Sequence, residues 1–257
     1  MAFIERDDGV RIHYEVHGTG PAILLTHGFS ATAEMWRPQI APLSLEHTLI
    51  LWDMRGHGRS DYPRDPSLYS EEATVADMAA ILDAVGAKEA VIGGLSLGGY
   101  MSLAFRLAHP ARAKALLIVD TGPGFRNAEA RAQWNVTALA TAERLEREGL
   151  AALAGQSAER ALSSHRSADG LALAARGMLT QRDSRIIDSL PAIDIPALVI
   201  VGAEDAPFRK AADYMAAKIP GARLAVLEGA GHAANLDRPE AFNTAVLEFL
   251  ARIPRSA

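Results

Sequence analysis

Ser96 lies between two glycines in a stretch whose residue types favour a nucleophilic hydroxyl. An apolar, β-branched run precedes it, a helical pattern follows it, and Gly94 and Gly98 stand two positions away on either side. A strand that turns directly into a helix pushes the residue at the turn towards positive φ, and flanking glycines remove Cβ atoms that would clash there. The free amides at the start of such a helix can bind developing negative charge. The spacing predicts a nucleophile, although a serine between glycines can also be an ordinary helix N-cap.

A serine hydroxyl is a weak nucleophile and needs a general base, most often a histidine that an acidic residue orients. For a serine at a strand-to-helix turn, the chain order is serine, acid, histidine. Asp205 follows the predicted strand 196–201, and His232 follows the predicted strand 223–227. Both residues therefore stand at carboxyl ends of strands, at the same edge of a parallel sheet as Ser96. We predict that His232 is the base and that Asp205 is the acid.

Other carboxylates and histidines compete for these roles. Glu204 neighbours Asp205, Asp120 ends another predicted strand, and Asp205 could merely cap the helix that follows it. His27 and His57 also stand in loops at this edge, but they precede the serine, and we interpret them as hydrogen-bond partners that order those loops. The remaining histidines are interpreted as surface residues: His13, His17, His47, His109 and His165.

Two or so backbone amides are needed to stabilise the oxyanion of a tetrahedral intermediate at such a serine. The first is predicted to be the amide of Leu97, which follows Ser96. The second is predicted to be the amide of Phe29, because it follows a strand that ends at Thr26 and because Gly28 lets the backbone approach closely. The Phe29 ring is expected to form part of the pocket wall.

Strands and helices alternate along most of the chain, which predicts a parallel sheet with helices on both faces. The predicted strands are 3–6, 11–16, 21–26, 48–52, the run from 90 to the serine, 113–119, 196–201 and 223–227. The predicted helices are 36–45, 71–85, the segment from the serine to 109, 207–219 and 239–253.

Residues 124–190 interrupt this alternation with Ala-rich helical segments and no strand pattern. An insertion after a strand would lie over the carboxyl edge of the sheet, where ligands bind in such folds. Within it, Trp134, Leu139 and Met178 either line a pocket or form the core of the insertion itself.

Composition narrows the function classes further. The chain of 257 residues is 49% hydrophobic and 22% charged, as expected for a globular protein, and its net charge of −5 gives no indication of a nucleic-acid partner. It has no cysteine, which excludes disulfides and thiolate nucleophiles, and no cluster has the spacing of metal ligands. Since its first residues lack an apolar signal segment and no apolar run reaches about 20 residues, we expect a cytoplasmic protein that does not bind membranes.

Several of these stretches together resemble the α/β-hydrolase superfamily, and the likeness covers nearly the whole chain. They are His27-Gly28-Phe29, Asp53-Met54-Arg55-Gly56-His57-Gly58-Arg59-Ser60, Gly94-Leu95-Ser96-Leu97-Gly98-Gly99, Gly202-x-x-Asp205 and Gly229-x-Gly231-His232. The resemblance implies a mostly parallel, eight-stranded sheet. It also implies a core domain of residues 1–123 and 191–257, and a helical cap of residues 124–190 inserted after the sixth strand over a Ser-His-Asp triad. The polar stretch 53–60 lacks the Gly-Lys-Ser/Thr of a phosphate-binding loop, and we interpret it as a loop held by its own Asp and Arg side chains.

Among the subfamilies, the chain looks closest to small esterases, enol-lactone hydrolases and cofactor-free perhydrolases. The serine at position 96 departs from epoxide hydrolases and haloalkane dehalogenases, which use aspartate there. We expect a carboxylesterase that cleaves a small, fairly apolar ester through an acyl-enzyme on Ser96, without a cofactor, as a monomer or homodimer. The alternatives are a lactone or enol-lactone hydrolase, a perhydrolase, a carbon–carbon bond hydrolase that holds a carboxylate with an arginine between 126 and 185, and a slow-turnover small-molecule receptor on the same fold.

Overall fold

The computed structural model describes residues 2–154 and 157–254, so the predicted outer limits at 1 and 257 lie outside the described residues. Eight strands form one sheet in the order β1-β2-β4-β3-β5-β6-β7-β8. They are β1 (Ala2–Glu5), β2 (Arg11–His17), β3 (Ala22–Thr26), β4 (Thr48–Trp52), β5 (Ala90–Leu95), β6 (Ala113–Val119), β7 (Ala197–Gly202) and β8 (Arg223–Leu227). β2 is antiparallel to both of its neighbours, and the other pairs are parallel. The predicted eight-stranded, mostly parallel sheet is confirmed.

The central strands are almost entirely buried, because helices cover the sheet on both faces. Every residue of β5 and of β7 is buried. Thr26 at the end of β3 pairs with Gly94, and Leu95 at the end of β5 pairs with Val119 of β6. The loops that follow these strands therefore meet at one edge of the sheet, which is the edge that carries the predicted site.

The helices match the predicted alternation, with ends that differ by a few residues. They are α1 (Arg37–Leu43), α2 (Glu71–Ala84), α3 (Leu97–Ala108), α4 (Ala128–Glu148), α5 (Ala158–Ala161), α6 (Ala168–Ala174), α7 (Arg185–Ser189), α8 (Ala206–Lys218), α9 (Ala234–Asp237) and α10 (Pro239–Leu250). α2 starts where its sequence predicts, since the Ser70 hydroxyl accepts a 3.0 Å hydrogen bond from the Ala73 amide. The short α9 was not predicted, because four residues are too few to show helical periodicity.

Two hydrophobic clusters fill the spaces between helices and sheet. On one face, α1 and α10 pack on the strands, and the ring of Trp36, which directly precedes α1, lies 6.2 Å from the ring of Phe242 in α10. On the other face, α2, α3 and α8 contribute Met78, Phe105 and Met215 to a second cluster. Burial on both faces makes the sheet a rigid base from which the loops at its carboxyl edge project.

The helical segment (residues 124–190) lies between β6 and β7, and its described part contains helices and turns but no strand, as predicted. α4 and α6 pack on each other and bury Leu145 and Leu171. Leu139 is exposed, whereas Trp134 is half-buried and Met178 is buried. The division into a core domain and a cap domain stays a prediction. Within residues 2–154 and 157–254, no helix is long and apolar enough to cross a membrane.

Candidate active site

Ser96 occupies the sharp turn between β5 and α3 with φ of 55° and ψ of −117°. Its amide donates a 2.9 Å hydrogen bond to Val119, and its carbonyl accepts bonds from the amide of Tyr100 at 3.0 Å and the hydroxyl of Thr121 at 2.7 Å. The Ser96 hydroxyl makes no capping hydrogen bond to α3. The backbone at this turn is therefore held firmly while the side chain is left unused by the helix, which argues against the N-cap interpretation.

Glycines flank the turn because the backbone is packed too tightly for any side chain. A Cβ atom on Gly98 would overlap the carbonyl of Thr26, and one on Gly94 would overlap the backbone of Gly98. Neither glycine has a positive φ. These two positions thus require glycine for close approach of β3, β5 and α3, while the strained φ is at Ser96 itself.

Asp205 and His232 meet in a hydrogen bond of 2.8 Å between Oδ2 and Nδ1. Asp205 immediately precedes α8, but its buried side chain makes no capping bond to that helix. Burial by itself would lower the pKa of His232, yet the hydrogen bond and the charge of Asp205 outweigh burial and raise it. The pair has the geometry of a carboxylate that fixes the tautomer of an imidazole, with Nε2 left for another partner.

The two competing carboxylates do not bond to His232. Asp120 directly follows β6, and its carboxylate oxygens accept hydrogen bonds from the amides of Gly202 at 2.8 Å and Ala234 at 3.1 Å. Burial raises the pKa of Asp120 to about 7, even though these amides favour the charged form. Asp120 therefore connects the loops that carry Asp205 and His232 by hydrogen bonds to both. The other competitor, Glu204, is exposed.

Phe208 links the His232 ring to the cavity that Ser96 lines. Phe208, in the first turn of α8, stacks its ring on the His232 imidazole at 5.0 Å, and it lines the same cavity as Ser96. No hydrogen bond joins the Ser96 hydroxyl to His232 in the part of the chain that the structure describes. Phe208 is thus the described residue that contacts the His232 ring and also lines the cavity next to Ser96. A hydrogen bond between a catalytic serine and its base often shortens only when substrate is bound, so its absence here does not argue against His232 as the base.

The loop after β3 packs directly against the Ser96 turn. A Cβ atom on Gly28 would be 3.5 Å from the Cβ atom of Ser96. Among the described residues, the amides of Phe29 and Leu97 make no hydrogen bond within the protein. Two unpaired N–H groups beside a serine are the arrangement that an oxyanion requires.

The location of the Phe29 ring differs from the predicted one. The ring packs edge-on against the His57 ring at 5.6 Å and does not belong to the cavity wall that contains Ser96. The ring is buried. The expectation that this ring lines the pocket is corrected, while its amide stays the candidate donor.

His27 and His57 are confirmed as partners that order the loops. His27 accepts a 3.0 Å hydrogen bond from the Met54 amide and donates one of 2.7 Å to the Gly28 carbonyl. Burial lowers the pKa of His27 to about 4, so its imidazole is neutral near pH 7. The interpretation of residues 53–60 as a loop held by its own side chains holds for Asp53, whose carboxylate accepts a bond from the Arg59 amide. It is wrong for the arginines, since the Arg55 guanidinium bonds to Asp77 outside the loop.

The prediction that the other histidines lie on the surface is wrong for His13, which is 1% exposed and bonds to Asp53 at 3.0 Å. His165 is half-buried, and both of its ring nitrogens make hydrogen bonds to backbone groups of other loops. Both histidines contact the loop 53–60: His13 bonds to Asp53, and His165 bonds to the Gly58 amide. Such contacts join parts of the chain far apart in sequence, and neither histidine carries a local signal of them.

The cavity next to Ser96 has a volume of about 180 Å³. Trp134 and Met178 belong to its wall, which agrees with the interpretation that they line a pocket. Leu139 does not belong to this wall. Several other wall residues are not predicted from the sequence, namely Tyr100, Thr121, Phe125, Leu179, Gln181 and Phe208. None of the described wall residues carries a charge. The cavity is therefore suited to a small, uncharged group.

A second cavity, of about 790 Å³, lies at the opposite edge of the sheet. Its wall includes Ala22 and Ala90 at the amino ends of β3 and β5. In doubly wound sheets ligands bind at the carboxyl ends of strands, so the smaller cavity is the candidate site.

Comparisons with known proteins agree with this architecture. The model of the alpha/beta hydrolase family matches residues 23–245. The chain is 28% identical to a putative 2-succinyl-6-hydroxy-2,4-cyclohexadiene-1-carboxylate synthase of Bacillus subtilis, over 96% of this chain and 97% of that protein. It is 30% identical to 3-oxoadipate enol-lactonase 2 of Acinetobacter baylyi, over 95% of this chain and 94% of that protein. A solved structure of a thermophilic esterase from Thermogutta terrifontis matches with a TM-score of 0.87 at 30% identity, covering 99% of each chain.

Proposed function

Because the chain belongs to the alpha/beta hydrolase family, we propose that it is a serine hydrolase that cleaves a small, fairly apolar carboxylic ester through an acyl-enzyme on Ser96. The observation that carries the proposal is the Asp205–His232 hydrogen bond at the sheet edge that also carries the strained Ser96 turn. Asp205 comes 109 positions after Ser96 in the chain, yet both residues lie at the same sheet edge as His232. Their order along the chain is serine, acid, histidine, which is the order expected for a serine at a strand-to-helix turn.

The reaction follows from the positions of these groups. Nε2 of His232 takes the proton of the Ser96 hydroxyl as Oγ attacks the ester carbonyl carbon, and Asp205 stabilises the imidazolium that forms. The amides of Phe29 and Leu97 bind the oxyanion of the tetrahedral intermediate. His232 then gives its proton to the departing alkoxide, which leaves as an alcohol, and an acyl group stays on Oγ.

Deacylation repeats these steps with water. His232 takes a proton from a water molecule, whose oxygen attacks the acyl carbonyl, and the same amides hold the second oxyanion. The proton returns to Oγ as the acid leaves. No step requires a cofactor.

The small, uncharged cavity favours a substrate whose acyl or alcohol group is itself small and uncharged. A carboxylate-bearing substrate would need a cation in the wall, and the described wall residues include none. Arginines of the helical segment bond elsewhere: Arg126 to Asp188, Arg176 to Glu146 and Arg182 to Glu72. This disfavours the carbon–carbon bond hydrolase that holds a carboxylate with arginine.

The remaining alternatives share the proposed intermediate. The enol-lactonase and the esterase among the compared proteins are named for cleavage of ester-type bonds, which supports an ester or lactone substrate here. A perhydrolase would differ only in using peroxide in place of water. We also propose that the helical segment is a cap domain, since Trp134 and Met178 from it form part of the cavity wall.

Hydrolysis of p-nitrophenyl esters from acetate to octanoate, by the unchanged protein and by Ser96→Ala, tests the proposal. We expect turnover with a maximum at short acyl chains, and a loss of several orders of magnitude in Ser96→Ala with the fold retained. Turnover that survives in Ser96→Ala would overturn the serine assignment. An acyl burst followed by negligible steady turnover would instead favour the slow receptor.

A further inference from the structure

Both main-chain groups of Ser30 are bonded to histidines that come from different parts of the chain. Its amide donates a 3.1 Å hydrogen bond to Nε2 of His57. Its carbonyl accepts a 2.9 Å bond from Nε2 of His165, which belongs to the helical segment. Ser30 directly follows Phe29, whose amide is the proposed oxyanion donor.

The partners of each ring define which nitrogen carries the proton. His57 Nδ1 is 2.9 Å from the Arg55 carbonyl and must donate to it, so Nε2 is free to accept from Ser30. His165 Nδ1 accepts from the Gly58 amide at 3.3 Å, so its Nε2–H donates to Ser30. Both imidazoles are thus neutral in these bonds, and each ring nitrogen is used.

Ser30 needs this support because its backbone is strained. Its φ is 56°, a conformation that L-residues other than Asn and Asp rarely adopt. Its own hydroxyl is buried without a hydrogen-bond partner among the described residues, so it does not stabilise the turn. The conformation is therefore maintained by the two main-chain bonds and by the loop packing around them.

We propose that His165 is a positioning residue, by which the helical segment holds the Phe29 amide in place for the oxyanion through Ser30. The bond from His57 fixes the peptide plane between Phe29 and Ser30, and the bond from His165 fixes the next plane. The Phe29 amide belongs to the same peptide plane as the Gly28 carbonyl, which accepts hydrogen bonds from His27 Nδ1 at 2.7 Å and from the Ala31 amide at 3.1 Å. Because the Ala31 amide shares its peptide plane with the Ser30 carbonyl, the bond from His165 acts on the Phe29 amide through the bond from Ala31 to Gly28. The inference rests on the proposed function, because it assigns His165 to the oxyanion of that same reaction.

Two substitutions of His165 separate its two hydrogen bonds. In His165→Gln, the side-chain amide reaches the position of Nε2 and can still donate to Ser30. In His165→Asn, the amide ends at the position of Nδ1, so it can still accept from Gly58 but cannot reach Ser30. Arg176→Ala is a matched control within the helical segment, since it removes the ion pair with Glu146 and does not touch the Ser30 loop.

We expect His165→Asn to lower kcat for a short p-nitrophenyl ester about 10- to 100-fold with KM changed less than about twofold, because a misplaced oxyanion donor weakens only the transition state. Affinity for a trifluoromethyl ketone, which forms an anionic adduct with the serine, should fall by a similar factor. His165→Gln should recover most of both losses. Equal losses in the Asn and Gln variants, or in Arg176→Ala, would overturn the proposal, as would an unchanged kcat in His165→Asn.

Hydrogen–deuterium exchange of residues 28–31 tests the same inference without turnover. We expect faster exchange there in His165→Asn than in His165→Gln, Arg176→Ala or the unchanged protein. If the unchanged protein hydrolyses no ester, the proposed function fails, and the exchange measurement alone decides whether His165 holds this loop. Unaltered exchange of residues 28–31 in a folded His165→Asn variant would show that His165 does not hold this loop.

Discussion

His232 Nδ1 lies 2.8 Å from Asp205 Oδ2, and this contact selects one carboxylate from the three that surround the imidazole. Asp120 and Glu159 act on His232 only through their charges, without a hydrogen bond to it. A carboxylate that bonds to Nδ1 sets the tautomer, whereas a more distant one changes only the electrostatic potential. The two kinds of influence are separable by substitution.

Asp205→Asn should lower kcat/KM by roughly 10⁴, because an amide at this position favours the wrong tautomer of His232. Asp120→Asn should act mainly on stability, lowering the free energy of unfolding by about 1–3 kcal/mol, since an NH2 group would face one of two amide donors. Steady-state kinetics and urea unfolding of both variants measure this. Glu204→Gln, at an exposed site, is the control expected to change neither quantity. A folded Asp120→Asn with a loss as large as that of Asp205→Asn would transfer the orienting role to Asp120.

The pH profile should report the raised pKa of His232. Burial lowers that pKa, but Asp205, Asp120 and Glu159 together raise it above 6.5. A general base must be neutral, so kcat/KM should fall as the pH drops through a value above 6.5. Glu159→Gln removes one negative charge and should move this acid limb down by about half a pH unit with the plateau unchanged. An acid limb below 6.5 in the unchanged protein would contradict the assignment of His232 as the base.

The residues of the proposed reaction could be located from sequence because each follows a strand at the same sheet edge. Ser96 has glycines at fixed spacing, and Asp205 and His232 come after it in the required order. The alternation of strands and helices then places all three together. Local patterns therefore suffice for residues whose position depends on where a strand ends.

Contacts between side chains of distant segments could not be predicted in this way. Phe208 stacks on His232, Gln181 enters the cavity wall, and His165 bonds to a carbonyl 135 residues earlier in the chain. The edge-on contact of the Phe29 ring with the His57 ring is of the same kind. These contacts depend on how the loops and the helical segment pack against each other. The spacing of residue types along the sequence does not predict that packing.

Strain at position 96 should be visible in stability. With φ of 55°, Ser96→Gly relieves a conformation that Ser96→Ala retains, so the Gly variant should have the larger free energy of unfolding, by about 1 kcal/mol. Urea unfolding of the two inactive variants measures the difference. Ser102, inside α3, gives a control of opposite sign: there Ser102→Gly should be about 1 kcal/mol less stable than Ser102→Ala. A Gly variant at position 96 that is less stable than the Ala variant would show that the turn is not strained.

Gln181 should influence which acyl groups the cavity accepts. Its side chain lines the cavity, and its Oε1 atom is buried without a hydrogen-bond partner among the described residues. Gln181→Leu removes this unsatisfied carbonyl oxygen and places an apolar group of similar size in the wall. The free energy of unfolding should therefore stay constant or rise by up to about 1 kcal/mol.

Because the Gln181→Leu wall attracts apolar chains more strongly, kcat/KM for butyrate relative to acetate should increase roughly three- to tenfold. The p-nitrophenyl ester series measures this ratio, and Gln133→Leu, an exposed glutamine of α4, should leave it unchanged. An unchanged ratio in Gln181→Leu would place the acyl group away from this wall, whereas a higher ratio in both variants would trace the effect to general surface hydrophobicity.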